Sequence, residues 1–295
     1  MNDDLSGQFR GFKPFLSGGG ELHQAFEVLR LSIPPVGPKR YVDAQIDDYH
    51  GLRRRSRFPW IPPLRVRLRA RMSHPAASTL LADPARGYSG THFHTSSHPC
   101  SDIHTPSYLL GTAGFGFWND PFTLTGGGVL APPSALWFFY ASPPSDMALV
   151  EGVPGWGWKA ATLDSARIPA LVLAPAAAAA VLLTRLPGLG RPIMSAARRA
   201  MRVSERIVDA VLTEWHDYEI EWSAAEAVFR VDAAEVLRAP DPPRGPLGFV
   251  AWIDNQYAVA TPQGRFGFGL IQTGAPQWME LEGVSILRLS PDEVR

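Results

Sequence analysis

The chain has 295 residues, 45% of them hydrophobic and 19% charged, with 28 Lys and Arg balanced by 28 Asp and Glu. That is enough apolar material for a large core. The neutral balance excludes a general basic face, so no nucleic-acid partner is expected. The single cysteine, Cys100, excludes an intramolecular disulfide. The start, Met1-Asn2-Asp3-Asp4, lacks a basic segment followed by an apolar run, so a cytoplasmic location is expected.

In chain order, residues 1–37 are rich in Gly, Ser and Pro and read as an N-terminal extension wrapping a single domain over 38–295. Tyr41 to Tyr49 alternates as a strand, with Asp43, Gln45, Asp47 and Tyr49 on one face. Leu64 to Arg71 alternates strictly, burying its apolar side and turning four arginines outward. Residues 82–107 are polar and read as a loop. Gly111 to Trp118 predicts a strand with Ala113, Phe115 and Phe117 on one side. Ala135 to Tyr140 is apolar on both faces and predicts a strand buried on both.

Residues 165–213 break the pattern. Ile168 to Leu183 carries no charge, and Ala197, Met201, Ser204, Val208 and Val211 recur at helical spacing beside an Arg198, Arg202 and Arg206 stripe. This predicts a helical insertion. A membrane span needs about 20 apolar residues. The run is shorter and interrupted by Pro169 and Pro175, so 168–206 suits peripheral membrane or partner contact rather than crossing. Alternation resumes at Glu214 to Trp222, with His216, Tyr218, Ile220 and Trp222 on one face. Ala227 to Asp232, Val236 to Arg238, Leu247 to Asp254, Phe266 to Leu270 and Trp278 to Leu289 follow. The fold class is mainly β, an antiparallel β-sandwich with a helical insertion.

The run Trp215-His216-Asp217-Tyr218-Glu219-Ile220-Glu221-Trp222, then a Val231-Asp232 hairpin, resembles the family-16 glycoside hydrolases and their concanavalin A-like relatives. The resemblance covers roughly residues 108–160 and 213–289. It implies a jelly roll whose acid motif, E-x-D-x-x-E, follows a tryptophan-bearing strand and holds two carboxylates about 5 Å apart for a retaining mechanism. Ser134-Ala135-Leu136-Trp137-Phe138-Phe139 is similar to that preceding strand, and Asp146-Met147-Ala148-Leu149-Val150-Glu151 follows it. Asp146 stands where the nucleophile Glu is expected, and Ala148 replaces the middle Asp. A bulge is needed to bring Asp146 and Glu151 to one face.

Candidate catalytic groups are therefore Asp146, Glu151 and Asp254. Trp252-Ile253-Asp254-Asn255-Gln256 closes one strand and Trp118-Asn119-Asp120 another. Both read either as ligand contacts, with an indole to stack and amides to orient, or as turns. Trp137, Tyr140, Gln45 and Asp47 complete the expected lining of a groove. His92, His94 and His98 lie close together in a Ser/Thr-rich stretch. H-x-H spacing suits a metal, but no familiar zinc pattern completes it, so a solvated loop is favoured and no metal or cofactor is expected.

The altered motif, the missing export signal and the charge-free insertion favour a groove for a lipophilic small molecule such as a terpenoid, polyketide or lipid. The expected activity is then a non-hydrolytic cyclase or isomerase. The alternative is a carbohydrate-active protein, either a degenerate family-16-like hydrolase or a lectin-like binder that uses Trp118, Trp137 and Trp252 as sugar platforms. A third reading makes 168–206 the interface of a peripheral membrane or partner-binding protein.

Overall fold

The computed structural model describes residues 5–52, 54–77, 108–120, 133–148, 150, 152–165, 202–260 and 266–290. Two seven-stranded antiparallel sheets are stacked face to face. The first runs β1 (Lys13–Ser17), β4 (Asp43–Asp47), β13 (Gly248–Asp254), β6 (Thr112–Trp118), β7 (Ser134–Ala141), β8 (Gly157–Asp164) and β9 (Ser204–Ile207). The second runs β12 (Ala234–Pro240), β11 (Glu226–Val231), β10 (His216–Trp222), β5 (Leu64–Met72), β16 (Gln277–Arg288), β3 (Val28–Ile33) and β2 (Glu21–Ala25). A separate hairpin pairs β14 (Gln256–Ala260) with β15 (Phe266–Leu270).

Alternation explains the stacking. On β5, Leu64, Val66, Leu68, Ala70 and Met72 point into the core while the arginines between them point away. Tyr218, Ile220 and Trp222 of β10 are buried beside them. The first sheet answers with Phe115 and Phe117 of β6, Phe138 of β7 and Trp158 of β8. Rings meet across the layers: Phe115 to Tyr218 at 5.1 Å, Phe138 to Phe229 at 5.4 Å and Phe117 to Trp222 at 5.6 Å.

The structure corrects the sequence reading in three places. The N-terminal segment expected to wrap the domain supplies β1, β2 and β3, which pair with β4, β3 and β16. Helical spacing over residues 195–212 misleads at its C-terminal end, because Ser204–Ile207 is β9, paired antiparallel with β8. Four residues satisfy a helical and an extended period almost equally, and the open edge of β8 decides between them. The remainder of the insertion, 166–201, lies outside the described residues. Of the expected arginine stripe, Arg202 pairs with Asp241 at 3.3 Å and Arg206 belongs to β9. Finally, β7 is fully buried on its core face, whereas on the other face only Ala135 and Ala141 are buried and Trp137 and Phe139 are half-buried. Among the described residues no helix is long and apolar enough to cross a membrane.

Candidate functional site

The outer face of the first sheet is assembled by register. Gln45, Trp252, Gly114, Phe139 and Lys159 stand opposite one another in one cross-strand row. Asp43, Asp254, Thr112 and Ala141 form the next row. Asp47, Val250, Gly116 and Trp137 form the row on the other side. Directly opposed side chains on one face are the closest neighbours a sheet allows.

Four half-buried rings tile the middle of this face. Trp118 and Trp252 lie nearly parallel, 9° apart with centroids at 6.5 Å. Trp137 stands 5.9 Å from Trp118 and 5.6 Å from Trp252, and Phe139 lies 5.8 Å from Trp137. Glycine makes the floor. A Cβ on Gly114 would come within 2.9 Å of the Trp252 ring and 2.4 Å of the Phe138 carbonyl oxygen. A Cβ on Gly248 would sit 2.1 Å from the Tyr49 ring. Without those atoms the rings can rest against the strand backbone.

Polar groups pin the rings at both ends. Trp252 Nε1 donates to Thr112 Oγ1 at 2.9 Å, and that hydroxyl donates to Asp254 Oδ1 at 2.7 Å. Asp254 Oδ1 also accepts from the Gln256 amide at 2.9 Å. At the far end, Trp118 Nε1 donates to the Tyr49 hydroxyl at 2.5 Å. Gln45 Nε2 donates to Asp47 Oδ2 at 3.0 Å, and Asp47 Oδ1 accepts from the Tyr49 and His50 amides.

The carboxyl groups here are unusual acids. Burial pushes Asp254 up to about 6 and Asp48 up to about 7. Asp43 is raised well above the carboxylate range, first by burial and then by the charge of Asp254 opposite it. Asp43 Oδ2 is buried and makes no hydrogen bond. Asp47 is raised by burial against the hydrogen bonds that it accepts.

Beyond Phe139, Lys159 and Glu205 form an ion pair at 3.2 Å with side chains only 1% and 2% exposed. Lys159 Nζ also donates to the Met147 carbonyl at 3.3 Å, and Glu205 accepts from the Val150 amide at 2.7 Å. The pair therefore fastens Met147 and Val150 to the sheet. Burial lowers the Lys159 pKa, and Glu205 pulls it back up.

The candidate residues thus separate. Trp118, Trp137, Trp252, Gln45, Asp47 and Asp254 share the outer face, while Gln256 begins β14 beside Asp254. Tyr140 does not join them. It is fully buried in the core, where its hydroxyl donates to the Leu109 carbonyl at 2.8 Å and accepts from the Ala77 amide at 3.1 Å. Asn119 and Asn255 are turn residues: Asn119 Oδ1 caps the Ser134 amide at 3.0 Å, and Asn255 holds the Val42 amide and the Arg40 and Ile271 carbonyls.

Asp146 is off the sheet, in an isolated parallel bridge with Val259. Glu151 lies outside the described residues, as do His92, His94 and His98. The strand that follows the tryptophan-bearing β7 is β8, whose outward positions are Gly157, Lys159, Ala161 and Leu163. No carboxylate stands there, so the expected pair for a retaining mechanism is not formed on these two strands. Among the described residues no three His, Cys, Asp or Glu side chains gather to hold a metal.

Sequence reasoning missed Thr112, Phe139, Tyr49 and the Lys159–Glu205 pair. Phe139 and Thr112 share strand parity with Trp137 and Trp118, and that spacing of two could have found them. The ion pair joins residues 46 apart in sequence and carries no local signal.

No protein-family model matches the chain, and no curated protein matches it in sequence. Solved structures do match. A pseudo β-1,3-glucanase and immunostimulatory antigen of Mycobacterium tuberculosis is 11% identical, with a TM-score of 0.43, over 89% of this chain and 75% of that one. A laminarinase from a Flavobacterium species is 10% identical, with a TM-score of 0.43, over 97% and 96%. An endo-β-galactosidase from Clostridium perfringens is 10% identical, with a TM-score of 0.48, over 96% and 59%. The fold is an antiparallel β-sandwich of two stacked seven-stranded sheets, the class that the sequence resemblance implies.

The expectation of a lipophilic ligand and of a cyclase or isomerase is corrected here. The face itself interleaves its rings with Asp43, Gln45, Asp47, Thr112 and Asp254. A face interleaved with buried acids, an amide and a hydroxyl is not the uniformly apolar groove that a lipophilic ligand and a cyclase or isomerase were expected to need.

Proposed function

We propose that the chain is a lectin-like carbohydrate-binding protein whose ligand lies on the outer face of the first sheet. The observation that carries this reading is the set of half-buried rings Trp118, Trp137, Phe139 and Trp252, bounded by hydrogen-bonding side chains. Sugar rings present one apolar C–H face and a rim of hydroxyls, so they need a flat aromatic surface with polar groups at its edge. Gln45 and Asp47 are buried beside the rings and hydrogen-bond to each other, which holds that edge of the platform in place. Hydrolysis is not part of the proposal, because β7 and β8 present no carboxylate pair outward.

The test is affinity electrophoresis through gels loaded with β-glucans and galactans, run beside a reducing-end assay on the same polymers. Retardation by at least one polymer without sugar release is the expected result. Release that disappears in Asp146→Asn would replace this reading with a working glycosidase.

A further inference from the structure

Arginine is used in two different ways in this molecule. On the second sheet every β5 arginine faces a carboxylate: Arg65 with Glu221 at 2.9 Å, Arg67 with Glu219, Arg69 with Glu282 at 3.3 Å and Arg71 with Glu280 at 2.7 Å. The sequence also places four arginines in Arg53-Arg54-Arg55-Ser56-Arg57. Among the described residues, Arg54, Arg55 and Arg57 pair with no carboxylate.

This second group adjoins the aromatic face. Arg55 donates to the Asn119 carbonyl at 2.7 Å and the Asp120 carbonyl at 2.6 Å, immediately after Trp118. Carbonyl oxygens fix the guanidinium in place without cancelling its charge. Phe58 stacks on Tyr49 at 4.8 Å, and Tyr49 accepts the Trp118 indole proton, so the loop is fastened to the rings from both sides. Lys13 adds a cation whose Nζ also donates to a carbonyl, that of His50, at 3.2 Å. Arg54 and Arg57 are exposed beside these anchors.

Of the acids at this end, Asp47 and Asp120 are buried, and among the described residues none is an ion-pair partner of Arg54 or Arg57. Asp48 is turned inward, accepting from the Trp60 indole and from the Phe249 amide at 2.9 Å, and burial favours its neutral form. The Asp43 and Asp254 pair belongs to the opposite end. Trp118 faces Gly248 and Thr112 faces Asp254, six residues further along β13. At about 3.3 Å per residue the two ends are about 20 Å apart, well beyond a physiological Debye length of about 8 Å.

We propose that Arg54 and Arg57, beside the anchored Arg55, form an anion subsite at the Trp118 end of the aromatic face, and that the glycan bound there carries sulfate or carboxylate groups. The guanidinium fork matches both oxyanions. This rests on the glycan-binding reading above and narrows its ligand class.

Affinity electrophoresis tests it with a sulfated galactan, the same galactan after desulfation, and alginate as the carboxylate polymer. The wild-type chain is compared with the Arg54→Gln/Arg57→Gln double variant and with Trp252→Ala, each at low and high salt. The sulfated or the carboxylate polymer is expected to bind about tenfold more tightly than the desulfated one, as for one charge-assisted contact. That advantage disappears in the double variant and in high salt, while binding to the desulfated galactan is unchanged. Equal binding of all three polymers by the wild type, or an advantage that survives the double variant, would overturn the anion subsite and leave the platform reading standing. Insensitivity of every polymer to Trp252→Ala would strike the platform reading instead. Single-stranded poly(U) bound as tightly as the best glycan would replace both with a general polyanion surface.

Discussion

Both sheets turn a face away from the core, and both faces hold titratable side chains, yet they treat charge in opposite ways. On the second sheet, Arg30, Arg65, Arg67, Arg69, Arg71 and Arg230 interlock with Asp217, Glu219, Glu221, Glu280 and Glu282. Trp215 and Trp278 are covered there by guanidinium groups 4.7–5.5 Å from their centroids. A depression does lie on that face, lined by Arg67, Arg69, Asp217, Glu219, Arg230 and Asp232, but its charges already satisfy one another. On the first sheet the rings lie against glycine, the acids are buried and raised, and the cations at one end are held by carbonyls. A surface whose groups are mutually satisfied serves solubility and sheet pairing. The face of the first sheet leaves its half-buried rings and, among the described residues, the exposed Arg54 and Arg57 without such partners, which supports the proposed glycan site.

The largest contrast is in stability. The Lys159–Glu205 pair of the first sheet is buried, so Glu205→Gln strands a cation and should cost about 3 kcal/mol in chemical denaturation. Asp217→Asn removes a partner of Arg69 on the second sheet, where Asp217 is 73% exposed, and should cost well under 1 kcal/mol. A smaller effect follows from the buried acids. Carboxyl groups whose native pKa is raised stabilise the fold below their unfolded value of about 4, and that contribution is lost as the pH climbs through the native value. With Asp254 at about 6 and Asp48 at about 7, their contribution to stability should fall between about pH 4 and pH 7. Asp254→Asn keeps an acceptor for Thr112 and removes the charge facing Asp43. It should flatten that slope in urea titrations and stabilise the protein at pH 8 on the order of 1–2 kcal/mol. A steeper slope in the variant would show that these acids are not the source. Smallest of all, Trp215→Ala should leave polysaccharide retention unchanged, because that ring sits on the other face under Arg69 and Arg71.

The two faces differ as well in how readily the sequence discloses them. Strict alternation in Leu64 to Met72 and in His216 to Trp222 gave the inner face of the second sheet, and its outward arginines and carboxylates followed from parity alone. The same parity gathered Asp43, Gln45 and Asp47, and separately marked Trp118 and Trp252. What could not be read was which strands become neighbours. The row of Gln45, Trp252, Gly114 and Phe139 unites residues from four separated strands. Asn255 and Tyr140 look like ligand groups in sequence because polar tips at strand ends serve turns and core hydrogen bonds equally well. β9 was hidden because four residues are too few to separate a helical from an extended period.

The central claim is that the rings of the first sheet bind sugar and those of the second do not. The direct measurement is a calorimetric titration of the polysaccharide retained best, with wild type, Trp252→Ala and Trp278→Ala compared under one condition. Trp252→Ala should lose about 2 kcal/mol of binding, some thirtyfold, as truncating an aromatic anchor does, while Trp278→Ala binds as wild type. Undiminished binding by Trp252→Ala together with loss in Trp278→Ala would contradict the account and move the ligand to the charged face.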